Sequence, residues 1–329
     1  MKTSDFEYDL PPELVAQTPV EPRDASRLMV VHRPTEQIEH RIFRDVGNYL
    51  QPGDLIVLNR TRVIPARLFG HKAGTGGKVE LLLLEQRDDR TWEALVRGKK
   101  LRPGTRIELR AGATMLDAAD GSRGRIAAVI IAETESGGRL VRFEKPVEPV
   151  LDELGVLPLP PYIHEPLADQ ERYQTVYGRI DGSVAASTAG LHFTPELLVE
   201  LRRAGVGMAF ITLHIGLDTF RPVKEESIED HRIHTEWYEL TVPVAEQINR
   251  ARMEGRRVIA VGTTVVRALE SAVGGSTEFS AGACAPGCFD CSERRPFGFL
   301  RYGQSRSERP WAFSGTTSSG TGGGLSRNR

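Results

Sequence analysis

Two stretches, residues 55–58 and 206–213, are apolar almost without a break, as strands covered on both faces of a parallel sheet should be. A helix precedes the second. Thr194-Pro195-Glu196 offers a hydroxyl N-cap, Pro at the first helical position and an acid in the first turn, and Gly205 supplies the stop. The order then repeats. Pro243 opens a helix that Gly255 ends, and a strand at residues 258–261 runs through Gly262-Thr263-Thr264 into another helix over 265–272. On the N-terminal side, a strand at residues 28–32 and a helix over 42–50 precede the Pro52-Gly53 turn, extending the α/β pattern.

From Thr61 to Pro146 the period changes. Short alternating segments at residues 63–69, 78–85, 92–96, 106–109, 125–132 and 139–143 are separated by turn clusters such as Pro103-Gly104 and Asp120-Gly121. Strands at near-regular spacing with such turns predict a small β-barrel. Gly74-Thr75-Gly76-Gly77-Lys78 is read as a hairpin turn, because the glycine spacing is wrong for a phosphate loop and Val79 stands where a Ser or Thr is needed. The expected architecture is an α/β main domain in two parts, residues 1–60 and 149–274, with an inserted all-β barrel domain at 61–148. Residues 275–329 are expected to be a low-complexity, disordered C-terminal tail. From residue 281 onward there are two Leu and no Ile, Val or Met, too little apolar surface to offset the entropy of ordering.

Composition narrows the class. The 329 residues are 40% hydrophobic and 26% charged, which excludes collagen-like, disordered and membrane-embedded chains and suits two domains. Asp5, Glu7 and Asp9 interrupt any leader-like run, and no apolar stretch reaches membrane-spanning length, so a cytoplasmic protein with no membrane partner is expected. A net charge of -1 conceals 36 Arg against 7 Lys. Arg suits bidentate phosphate contacts, but an Arg-biased genome gives the same count, so composition leaves the partner open.

Open α/β sheets bind ligands beyond the carboxyl ends of their strands. That rule selects residues 214–220 and 262–264. The densest small and polar run, Gly182 to Thr194, lets backbone approach a ligand closely and ends on a helix N-terminus, although a plain Gly-rich connection reads the same way. Four of the eight His (His192, His214, His231, His234) fall between 192 and 234, and His214 closes a buried strand. Asp218 and Arg221 could position charged substrate groups or pair with each other, and Gly262-Thr263-Thr264 followed by Arg267 suits an anion. No metal is expected. His231-x-x-His234 lacks the helical i, i+4 spacing of a zinc protease and has no completing ligand set. Cys284-x3-Cys288-x2-Cys291 has an iron–sulfur spacing but lies in the low-complexity tail, without the packed surroundings a cluster needs.

Taken together, Phe6-Glu-Tyr-Asp-Leu-Pro, Arg23-Asp-Ala-Ser-Arg-Leu, Thr61-Arg-Val-Ile-Pro-Ala-Arg-Leu, Leu157-Pro-Leu-Pro-Pro-Tyr-Ile, Arg172-Tyr-Gln-Thr-Val-Tyr, the run from Gly182 to Thr194, Thr212-Leu-His-Ile-Gly-Leu-Asp-Thr-Phe-Arg-Pro-Val and Val261-Gly-Thr-Thr-Val-Val-Arg-Ala-Leu-Glu resemble the S-adenosylmethionine:tRNA ribosyltransferase-isomerase family of queuosine biosynthesis. The resemblance runs in order from residue 5 to about 272. It implies transfer and isomerisation of the ribosyl group of S-adenosylmethionine onto 7-aminomethyl-7-deazaguanine at the tRNA wobble position, giving epoxyqueuosine, adenine and methionine. S-adenosylmethionine would be the ribosyl donor, tRNA the partner and the enzyme a monomer.

The roles follow from chemistry and position. The sulfonium acidifies C5', so a proton acceptor is needed, as are a neutral amine and shielding from water. His214 or His192 would carry protons, Asp218 would sit near the amine or sulfonium, and Ser183, Thr188, Gly190, Thr263 and Thr264 would line the donor. Arg62, Arg67 and Arg221 would meet RNA phosphate or the donor carboxylate. Two positions depart from the family pattern: Ser187 replaces a usual Pro, and Arg60 stands where Asp is frequent. Beyond residue 272 the family's Asn-Phe-His-Leu-Pro segment has no counterpart, as a shifted reading frame would produce. The competing readings are an inactive RNA-binding remnant and an iron–sulfur protein.

Overall fold

The computed structural model describes residues 1–110, 125–134, 137–216, 225–230, 236–273 and 282–283. Near the N-terminus, β1 (Arg27–His32) and β2 (Gln37–Ile42) form an antiparallel hairpin that is a sheet of its own. This differs from the α/β reading of that segment. Ile42 ends β2, and a 3-10 helix at Phe43–Tyr49 replaces the expected α-helix. Gln-Ile-Glu-His-Arg-Ile is mostly polar and largely exposed on both faces, so no buried stripe betrays it as a strand.

After β3 (Leu55–Asn59), the expected strand over 63–69 is two strands: β4 (Thr61–Val63) and β5 (Arg67–Lys72). Pro65 lies between them, and proline has no N–H for a sheet ladder. With β6 (Lys78–Gln86), β7 (Thr91–Arg97), β8 (Arg106–Arg110), β9 (Arg125–Glu133) and β10 (Arg139–Phe143), β5 forms a sheet in the order β5-β6-β7-β10-β9-β8. Pairing of Gly70, His71 and Lys72 with β8 closes it into a six-stranded barrel. The period-2 pattern explains the closure. Val79, Leu81 and Leu83 point inward with Ile107, Leu109, Ile126, Ile130, Val141 and Phe143, all at most 1% exposed. His71↔Lys78 pairing and the Lys72 N–H bond to Gly77 make residues 73–77 the expected hairpin turn. The helical turn α1 (Leu151–Leu154) packs Leu151 and Leu154 onto the barrel core, and β11 (Gly155–Val156) extends β5.

The chain then lays β12 (Ile180–Ser183) parallel to β4. It continues through α2 (Pro195–Arg203), β13 (Gly207–Leu213), β14 (Tyr238–Leu240), α3 (Val242–Met253), β15 (Val258–Ala260) and α4 (Thr263–Ala272). Thr194 caps α2 by accepting from the Leu197 N–H at 3.1 Å, with Pro195 in the first turn. β3 is the middle of the three parallel strands of the second sheet, flanked by β15 and β13 in the order β15-β3-β13-β14. Its uninterrupted apolar run serves two cores at once. Leu55 and Val57 face α3 and α4, while Ile56 and Leu58 face α2, Phe43 and Phe193. β14 adds an antiparallel edge, and β16 (Gly282–Ala283) pairs with β14 in turn. Those two residues, within the expected tail, are thus strand; the rest of 275–329 lies outside the described residues. Because β3, β13 and β15 are parallel, Asn59–Thr61, His214 and Gly262–Thr264 emerge at one edge of the sheet.

Among the described residues, no helix is long and apolar enough to cross a membrane, and no group of three or more His, Cys, Asp or Glu could hold a metal ion.

Candidate functional site

His214 follows β13 directly, and its backbone N–H donates to the Trp237 carbonyl at 2.9 Å. Its ring stacks on the indole of Trp237, centroids 4.9 Å apart and planes inclined by 19°. Nδ1 lies 2.8 Å from the Thr61 hydroxyl. The support beneath is equally fixed. The Thr61 N–H donates to Asn59 Oδ1 at 3.1 Å, and fully buried Asn59 also bonds the Leu213 N–H and carbonyl, tying the carboxyl ends of β3 and β13 together. On the other ring edge, Gly182 has φ +138°, and a Cβ there would lie 2.8 Å from His214 Nε2, so a side chain at 182 cannot coexist with this ring position. Burial holds the imidazole down to about 4, because desolvation disfavours the cation. Near neutral pH the ring is uncharged and its free nitrogen can accept a proton.

The Gly182–Thr194 run lies along this edge. Ser183 is fully buried, and its hydroxyl donates to the Ala185 carbonyl at 2.7 Å and accepts from the Ile215 N–H at 2.9 Å. Both bonds serve the protein, so Ser183 holds the strand end of β13 in place rather than presenting a free hydroxyl. The Ser187 and Thr264 hydroxyls are 3.1 Å apart, which joins the run to the turn between β15 and α4. Pro, the usual residue at 187, has no hydroxyl to make this bond. Thr188 and Thr263 are exposed beside that bond, and Gly190 is buried. Gly190 sits under Tyr177, whose hydroxyl oxygen would be 2.1 Å from a Cβ at 190. His214, Ser183, Thr188, Gly190, Thr263 and Thr264 therefore share one edge of the parallel sheet, linked through Gly182 and Ser187.

His192 is placed differently. Its Nδ1 meets the Ala189 carbonyl at 3.1 Å and its ring packs on Phe43 at 5.1 Å. No hydrogen bond or ring contact joins it to His214 among the described residues. Arg62 pairs with Glu171 and lies 3.9 Å from Asp181, and the bond to Glu171 raises its pKa further. Arg67 sits 3.4 Å from Glu80 within the barrel wall. Asp218, Arg221, His231, His234 and Cys284, Cys288 and Cys291 lie outside the described residues.

Several supporting residues carry no signal in the sequence pattern. Glu236 accepts from the Gly216 N–H at 2.9 Å and from Arg267 at 2.5 Å, so the arginine expected to meet a bound anion meets the protein's own carboxylate. Trp237 and Thr61 contact His214 across separations of 23 and 153 residues. Arg60, where Asp is frequent in the resembling family, bonds Thr212 Oγ1 at 3.1 Å and Glu239 at 3.3 Å.

A histidine held neutral at the carboxyl ends of parallel strands, beside small-residue loops, defines the ligand crevice of an α/β enzyme that also carries a β-barrel. The model of a family described as "Queuosine biosynthesis protein" matches residues 3–288. The S-adenosylmethionine:tRNA ribosyltransferase-isomerase of Moorella thermoacetica is 53% identical over 274 residues, 82% of this chain and 77% of that protein. The enzyme of the same name from Desulfitobacterium hafniense is 54% identical over 276 residues, 83% and 78% of the two chains. A crystal structure titled S-adenosylmethionine tRNA ribosyltransferase, from Thermotoga maritima, is 36% identical with a TM-score of 0.40, covering 86% of this chain and 77% of that one. The chain belongs to the S-adenosylmethionine:tRNA ribosyltransferase-isomerase family of queuosine biosynthesis enzymes.

Proposed function

We propose that this chain moves the ribosyl group of S-adenosylmethionine onto 7-aminomethyl-7-deazaguanine at the wobble position of tRNA and isomerises it to epoxyqueuosine, releasing adenine and methionine. The observation that carries this reading is His214: a neutral imidazole, held between Thr61 and Trp237 where the parallel strands end. In this reading His214 accepts the proton that the sulfonium makes acidic at C5', and the buried surroundings keep water from competing. Exposed Thr188 and Thr263, with Thr264 and Gly190, line the donor. Ser183 contributes by fixing Ile215 behind His214. Asp218 is assigned to the amine or sulfonium, with Arg221 and Arg62 on the RNA phosphate or donor carboxylate. His192, whose ring packs on Phe43, is the alternative proton carrier. We read residues 61–148 as an inserted domain, and the enzyme as a cytoplasmic monomer with tRNA as its partner. No feature of the site favours the RNA-binding remnant.

Incubating the protein with S-adenosylmethionine and precursor-bearing tRNA should release adenine and methionine and yield epoxyqueuosine on nucleoside mass spectrometry. No adenine release from the wild-type chain would overturn the activity. Release by His214→Ala at the parent rate would overturn the assigned base.

A further inference from the structure

The barrel end that holds the β5–β6 and β7–β8 loops carries a concentrated positive charge that the reaction chemistry does not use. The loop joining β5 to β6 (residues 73–77) and the loop joining β7 to β8 (residues 98–105) lie side by side there. Lys72 Nζ donates to the Lys100 carbonyl at 3.1 Å, the Ala73 N–H to the Arg106 carbonyl at 3.0 Å, and a Cβ on Gly98 would lie 2.9 Å from the Lys78 carbonyl. Lys78, Arg97, Lys99, Lys100, Arg102 and Arg106 are all exposed. There is no Asp or Glu in residues 71–79 or 94–107, and none of the six cations meets a carboxylate among the described residues. Carboxylates of the flanking strands are already engaged: Glu80 lies 3.4 Å from Arg67, Glu108 4.0 Å from Arg110 and Glu133 3.1 Å from Arg139. In a chain with only 7 Lys, four of them (Lys72, Lys78, Lys99, Lys100) fall here.

We propose that this barrel end is a docking surface for the sugar-phosphate backbone of the tRNA at a distance from the modified base. The inference rests on the tRNA reading above. Unpaired, exposed cations on a loop pair already fixed by its own hydrogen bonds release counterions on meeting phosphates and lose little conformational freedom. Position supports a long polyanion. β4 begins at Thr61, which bonds His214, and the whole of β5 lies in the chain between that strand and the cationic loops. The six extended residues of β5, about 17–20 Å of chain, separate the strand that begins at Thr61 from these cations, and a folded RNA is long enough to occupy both places. Being without base-reading geometry, the surface contributes affinity and orientation rather than sequence choice.

The test is Lys99→Glu/Lys100→Glu/Arg102→Glu in the full chain, compared with Arg202→Glu/Arg203→Glu on the exposed end of α2 and with the charge-preserving Lys99→Arg/Lys100→Arg/Arg102→Lys. Binding of precursor-bearing tRNA is measured across a salt series. For the first variant the expected result is an affinity loss of about 10- to 100-fold at moderate salt and a slope of log K against log salt shallower by about 2–3. KM for tRNA should rise with kcat at saturation and the thermal midpoint little changed, and the other two variants should bind like the wild type. Equal affinity and slope for wild type and triple-Glu variant would overturn the docking surface while leaving the tRNA reading intact. A wild-type chain that binds no tRNA would overturn both, and an equal loss in the α2 variant would reduce the effect to overall charge.

Discussion

The Nδ1 atom of His214 lies 2.8 Å from the hydroxyl of Thr61, which stands 153 residues earlier at the start of β4. This bond fixes which ring edge faces Gly182, and with the Thr61 hydroxyl accepting from Nδ1–H it leaves Nε2 to take a proton. Thr61→Val keeps the shape but removes the hydroxyl. A hydrogen bond of this kind contributes about 0.5–1.5 kcal/mol, so kcat for adenine release should fall by roughly 2- to 10-fold, with Thr61→Ser retaining most activity. Equal rates for Thr61→Val and wild type would show that the bond does not orient the ring.

Trp237 covers one face of the His214 ring, and burial is the cause of its lowered pKa, about 4. Trp237→Ala should let water in and move that pKa up toward about 6.5, read as the imidazole titration by NMR. The sign for stability follows. A folded pKa below the unfolded one means that the unfolded state binds the proton first, so stability is present above about pH 6.5 and declines as pH falls toward 4. His214→Asn should flatten that part of the acid limb in urea melts. An acid limb of unchanged steepness would place the titration elsewhere.

How much of this was legible in the sequence varies with the range of the interaction. β3 and β13 were readable because continuous apolar runs have one economical use, the centre of a parallel sheet. The barrel strands were readable because alternation and turn residues act locally. The β1–β2 hairpin was not, since Gln37–Ile42 buries too little to leave an apolar stripe. At the site, His214 was singled out because it closes a buried strand, and the Gly182–Thr194 run because its small and polar residues let backbone approach a ligand. Trp237, Glu236, Asn59 and Thr61 were missed because each acts through a partner far away in the chain, and no local period records such a pairing. Arg267 shows the same limit in reverse: its place suited an anion, and the anion turned out to be Glu236.

Gly190 and Tyr177 form a second close pair. A Cβ at 190 would lie 2.1 Å from the Tyr177 hydroxyl oxygen and 3.1 Å from Cζ. Gly190→Ala should destabilise by about 1–3 kcal/mol as an overpacked core position and should displace the Gly182–Thr194 run. The Tyr177 hydroxyl is buried and has no hydrogen-bond partner among the described residues, and burial raises its pKa. Tyr177→Phe should thus be neutral or stabilising by about 1 kcal/mol and should recover part of the Gly190→Ala loss. Additive melts for the double variant would show that the two residues do not press on each other.

Arg60 offers a test of how a departure from the family pattern is absorbed. Its guanidinium reaches Thr212 and Glu239 across the carboxyl end of the sheet, with both charged side chains about one-third exposed. Substituting Asp, frequent in relatives, would place two carboxylates together and leave the Thr212 hydroxyl without its donor. At this exposure the pair contributes about 0.2–1 kcal/mol, so Arg60→Asp should lower stability by about that amount plus a modest repulsion. Arg60→Asp/Glu239→Arg should restore it, because the charges are exchanged over the same gap. Chemical denaturation of the two single variants and the double variant gives the coupling directly. A coupling indistinguishable from zero would mean that Arg60 is tolerated through exposure alone and that Glu239 has no part in accommodating it.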